Sequence, residues 1–177
     1  MSDITFVLRH FRYLRRGSVS AAFRERLILT VTSVNQCLYC AYGHARLALR
    51  AGVQRDEIES LLCGAIPDVP TREIPALLYA RHWAERDACP DPEARRTLEQ
   101  TYGSETAMAI EVVLRAIRIG NLTGNAFDAL LCRASRGRFG CRRHPAFAPE
   151  PEVAVYRTAM PVDEVQFPTL VDERHRT

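Results

Sequence analysis

Cys37-Leu-Tyr-Cys40-Ala-Tyr-Gly-His44 is the stretch on which the reading turns. Two thiols three residues apart can close a small disulfide. On a helix, His44 falls one turn beyond Cys40 and two turns beyond Cys37. Positions i, i+3 and i+7 share a helix face, so the three side chains point into one pocket. The segment 35–51 that holds them ends at Gly52, a helix stop signal. The motif therefore reads as a helix carrying a dithiol and an acid/base group.

The flanking segments read the same way. Residues 19–34 form a helix with Phe23, Leu27, Ile28 and Val31 inward. Gln54–Leu62 is a short amphipathic helix, followed by the loop 64–70. Thr71 caps a helix running to about Asp87, with Pro75 tolerated in its first turn. Asp91-Pro92-Glu93 places a capping residue, a proline and an acid in the order of a helix start, so a helix runs to about Tyr102. Ser104-Glu105 opens a long apolar-periodic segment to Leu131, which Gly120 and Gly124 are expected to kink or split. At the N-terminus, Ile4, Val7, Leu8, Phe11 and Leu14 recur at helical spacing between Arg9, Arg12, Arg15 and Arg16. They predict a packed helix with a basic outer face. There is no internal repeat and no run of strands. The fold class is all-α: a helical domain over 1–134, then a basic linker and extended proline-containing tail over 135–177. The tail holds half of the ten prolines. Its Val153, Val155, Tyr156, Met160, Val162, Val165, Phe167 and Leu170 predict docking on its own domain or on a neighbouring subunit.

Composition bounds the class. A chain of 177 residues with 47% hydrophobic and 25% charged residues fits one ordinary globular domain. The net charge of +3 is a weak argument for a polyanionic partner. All 24 basic residues are arginine, a bias that base composition explains more simply than phosphate recognition. No apolar run is long enough to span a membrane, and the first residues lack the order of a signal peptide. A cytoplasmic protein is expected. There the six cysteines, at 37, 40, 63, 89, 132 and 141, should be mostly reduced. A CxxC pair in that setting points to catalysis or metal binding rather than to a structural bridge.

The thiolate, not the thiol, is the nucleophile, and helix N-termini favour it. The start of a helix at Cys37 and Cys40 predicts such stabilisation, with His44 placed to accept the Cys40 proton. Reduction of a peroxide also needs an acid for the departing oxygen, commonly a buried carboxylate. Glu25 is the candidate if the preceding helix packs antiparallel to the motif. The simpler alternative is a surface glutamate paired with Arg24 or Arg26. Cys37, Cys40, His44 and Glu25 would equally make a four-ligand zinc set, and the residues alone leave redox and zinc readings open.

Glu25, Cys37 twelve residues later, then Cys40 and His44 resembles the Glu–CxxC–xxx–His signature of AhpD-like alkylhydroperoxidases of the carboxymuconolactone decarboxylase superfamily. The resemblance runs through Arg46-Leu-Ala-Leu-Arg-Ala-Gly-Val53. It extends more weakly to Ala76–Ala80 and Ile119–Asn125, covering roughly residues 15–132. It implies an all-α homo-oligomer working without flavin or haem. Carried over by position, it makes Cys40 the nucleophile that attacks peroxide, Cys37 the resolving thiol, and His44 and Glu25 the proton relay. It also implies an external dithiol reductant, in the family's best-known members a lipoyl group on a partner protein. One position departs. Some family peroxidases carry a histidine just before the nucleophile; here it is Tyr39, a poor base near neutral pH.

The implied activity is a thiol-dependent oxidoreductase, a peroxide or disulfide reductase. The alternatives are a zinc-stabilised or non-redox, carboxymuconolactone decarboxylase-like enzyme, or a redox-sensing assembly protein. Cys141-Arg-Arg-His144 reads as a surface loop. Cys63, Cys89 and Cys132 read as core or peripheral thiols. His82 and Trp83 read as core, and Asn121 and Asn125 as partners for buried backbone. The arginine cluster 133–143 lacks the interleaved aromatics of a nucleic-acid surface.

Overall fold

The computed structural model describes residues 2–15, 18–136 and 138. They form six α-helices: α1 Asp3–His10, α2 Ala21–Asn35, α3 Leu38–Arg50, α4 Arg55–Leu62, α5 Ile74–Glu85 and α6 Pro92–Ala134. Short 3-10 turns, Phe11–Arg15 and Thr71–Glu73, precede α2 and α5. Among the described residues there is no strand, as the all-α reading requires. The tail from 139 onward, including Cys141, His144, and Arg142 and Arg143 of the arginine cluster, lies outside the described residues.

α2 is the centre. Ser20 caps it, its hydroxyl accepting the Phe23 N–H at 3.2 Å, and Gln36 closes it in the left-handed region. Phe23, Leu27, Ile28 and Val31 are all buried, as their spacing predicts, but so are Glu25, Arg26, Leu29, Thr30 and Thr32. A helix buried on every side must partner its charges. Arg26 reaches Glu57 of α4 at 2.8 Å and Glu73 ahead of α5 at 3.1 Å. Glu25 turns the opposite way, to α3. One apolar core, with Trp83, Leu77, Ile110 and Leu114 fully enclosed, joins α2, α5 and α6.

Three expectations need correction. α6 runs unbroken through Gly120 and Gly124; its one break is Gly103, at φ 77°, between the two helices read from the sequence. Asp91 sits at the N-cap of α6 without capping it by its side chain. Its carboxylate instead pairs with His82 Nε2 at 3.1 Å. At the N-terminus, three of the five apolar residues read as the packed stripe face outward: Ile4 and Phe11 are exposed and Leu8 is 74% exposed, whereas Val7 is half-buried and Leu14 packs against the core. The inner face carries Asp3, Phe6 and His10. Asp3 is gripped by Arg115 and Arg118 of α6 at 2.6 Å each, and Phe6 lies under the Arg115 guanidinium. Periodicity located the helix, but two ion pairs and a cation–π contact fixed which side turns in. Among the described residues, no helix is long and apolar enough to cross a membrane.

Arg26→Ala would leave the buried Glu73 and the half-buried Glu57 without their shared cation. We expect a loss of about 3–5 kcal/mol of stability, measured by chemical denaturation.

Candidate active site

Cys37 is the N-cap of α3 rather than its first helical residue. Its sulfur accepts the backbone N–H of Cys40 at 3.4 Å, the role that serine or aspartate plays at other helix starts. Its sulfur is also 2.9 Å from that of Cys40, to which it donates its S–H. Cys37 is completely buried; Cys40 is partly open. The cap thus orders the pair, with an inner sulfur tied to the helix start and an outer sulfur that meets solvent.

α3 packs on α2 so that His44 Nδ1 lies 2.7 Å from Glu25 Oε2. Glu25 is only 3% exposed, and Arg24 also approaches its other oxygen at 3.5 Å. The two readings of Glu25 are thereby combined: it faces the motif helix and still meets an arginine. The four residues singled out by spacing all lie on the α2–α3 packing face. The connections differ from expectation in one respect. The hydrogen-bond partner of Cys40 is Cys37, and that of His44 is Glu25.

This alters the electrostatics. The helix start does not lower the Cys40 thiol. Burial, and then the hydrogen bond and charge of Cys37, push it up to about 12. The Cys40 N–H at the start of α3 is spent on the Cys37 sulfur. Among the described residues, no group of three or more His, Cys, Asp or Glu side chains is arranged to hold a metal ion. The histidine and glutamate bond to each other and the thiols to each other, rather than all four converging on one point.

α6 closes the other side. A Cβ added at Gly120 would lie 3.8 Å from the Cys40 sulfur, an ordinary contact. One added at Gly124 would lie 2.6 Å from the Cys37 sulfur and 3.6 Å from the Tyr39 ring. The glycines read as kinks are instead a smooth track, one turn apart, along which the helix approaches the dithiol. Asn125 donates to the Asn35 carbonyl at 2.8 Å, satisfying backbone as its sequence position predicted. Asn121 is wholly enclosed against Thr32, at 3.3 Å. Tyr39 donates to Asp128 at 3.0 Å, and its ring meets Phe127 edge-on. Asp128 and Phe127 escaped the sequence reading. Their only signal was their place one turn past Gly124 on the same face.

An all-α domain with a capped dithiol and a half-buried Glu–His pair is the class that this geometry defines. Residues 5–86 match the model of the carboxymuconolactone decarboxylase family. The matched segment contains all four candidate residues, and it ends before α6. Neither the curated proteins nor the solved structures gave a match to this chain.

Gly124→Ala should cost about 1–3 kcal/mol, because a methyl group would overlap the Cys37 sulfur. Gly43→Ala in α3, where nothing lies within 4 Å of the added carbon, should instead gain up to about 1 kcal/mol. Thermal melts of the two variants check the contrast.

Proposed function

We propose that the protein is a thiol-dependent oxidoreductase that reduces peroxides or disulfides through a Cys37/Cys40 dithiol–disulfide cycle. The observation that supports this best is the 2.9 Å sulfur separation on the helix whose His44 bonds to the buried Glu25. A structural thiol pair needs no proton relay, and a zinc site needs convergent ligands.

The cycle starts from a pair that shares one proton. Cys37 holds it, donating to Cys40 as the hydrogen bond runs, and the Cys40 thiolate attacks the outer peroxide oxygen. The O–O bond breaks, Cys40 becomes a sulfenic acid and an alkoxide leaves. Protonated His44, backed by Glu25, supplies the proton that makes it an alcohol. The Cys37 thiol then attacks the Cys40 sulfur; water departs and the disulfide closes. An external dithiol returns two electrons and two protons, and a lipoyl group on a partner protein would serve. In this scheme Tyr39 is no substitute for a second histidine. Bonding to Asp128 raises its pKa, and the shared proton rests on Cys37. A homo-oligomeric, cytoplasmic enzyme fits this reading.

Peroxide consumption with a dithiol reductant should be abolished in Cys40→Ser and stop after one turnover in Cys37→Ser. Glu25→Gln should lose about a hundredfold or more. Undiminished turnover in Cys40→Ser overturns the reading. The proton sharing has its own signature. Because the folded protein favours protonated Cys40, its alkylation rate should still climb above pH 9. In Cys37→Ser one cause of the upward shift is gone, so the midpoint should fall toward the usual thiol value of about 8.5. The residual burial should keep it above that value.

A further inference from the structure

Tyr39 and Phe127 are large aromatic side chains left 46% and 50% exposed, and both sit beside the candidate site. Exposed apolar residues scattered singly require no explanation. These two are paired and braced. Their ring centroids are 5.9 Å apart in an edge-on arrangement. The Tyr39 hydroxyl is held by Asp128 at 3.0 Å. The pair also adjoins the chemistry. Tyr39 immediately precedes Cys40, and a single carbon added at Gly124 would touch both the Tyr39 ring and the Cys37 sulfur. On α6, positions 120, 124, 127 and 128 share one face. The same strip of helix therefore passes from the open Cys40 sulfur, over the closed Cys37 sulfur, to the aromatic pair. An edge-on pair leaves a ring face free for a third aromatic or apolar group.

We propose that Tyr39 and Phe127 form the recognition wall of the dithiol site, with Asp128 as the residue that positions Tyr39, and that this wall selects reactants whose O–O or S–S bond carries an aromatic or bulky apolar group. The inference rests on the redox reading above and adds which residues choose the reactant. Phe127 and Asp128 lie outside the segment that matches the family. The selectivity therefore belongs to this chain's α6, while the thiols belong to the matched segment. Phe127 acts by contact. Asp128 acts only through the Tyr39 ring, by fixing its tilt over Gly124.

The test uses the full chain, reduced beforehand, in single-turnover oxidation by two disulfide probes. One is aromatic, 4,4′-dithiodipyridine; the other is polar, hydroxyethyl disulfide. In each reaction Cys40 displaces one thiolate to form a mixed disulfide, and Cys37 displaces the second. The quantity read is the ratio of the two rates. An aromatic contact of up to about 1.5 kcal/mol corresponds to about a tenfold change. Phe127→Ser should lower the aromatic-to-polar ratio by about that factor. Asp128→Leu should lower it similarly, whereas Asp128→Asn, whose amide oxygen can still accept the Tyr39 hydroxyl, should restore most of it. Cumene hydroperoxide against hydrogen peroxide should give the same order. A ratio unchanged in both Phe127→Ser and Asp128→Leu overturns the proposal. So does a loss of mass in solution without a change in ratio, which would mark the wall as a contact between copies of the chain. If the probe ratios respond but no peroxide is consumed by the wild type, peroxide reduction falls and the wall stands. A dithiol unreactive toward all four oxidants overturns both.

Discussion

Glu25 and Arg26 are neighbours on a helix buried on all sides, and neither can remain unpartnered there. Consecutive helical positions point about 100° apart, so the two charges cannot share a partner. Glu25 must find one on α3, and Arg26 on α4 and the turn before α5. This double requirement sets how three elements sit around α2. A buried carboxylate is costly to leave alone, and the group that satisfies it is the histidine of the motif. The demand that stabilises the fold and the demand that builds the site are met by the same hydrogen bond.

The helices were legible in the sequence because their signals are local: Ser20 and Gln54 at starts, Gly52 after an end, proline in first turns. The candidate site was legible because four side chains on two adjacent helices keep a fixed spacing. What escaped depends on partners far away in the chain. No local pattern says that Asp3 will meet Arg115 and Arg118, more than a hundred residues on. Those bonds roll α1 so that Phe6, not Leu8, goes under. Gly120 and Gly124 carried a true signal, a small residue every fourth position. Two meanings compete for it, flexibility and close approach, and only the sulfurs on the other side decide between them.

The reading of the thiols changed most. Only one sulfur can cap the start of α3. Cys37 takes that place, so Cys40 is left to hydrogen-bond with its neighbour in a half-buried site and holds its proton tightly. The two sulfurs therefore differ in burial and in the hydrogen bonds they make.

The family match ends before α6, the helix that faces the two sulfurs. The reactive groups sit on the shorter helices, whose packing is constrained by buried charges. The opposing surface is the last third of one long helix, where no residue after Asn121 is buried. Gly124 apart, whose missing side chain makes room for the Cys37 sulfur, substitutions there meet little resistance from the core. The helix face opposite the sulfurs can change its side chains with less effect on packing than the helices that hold them.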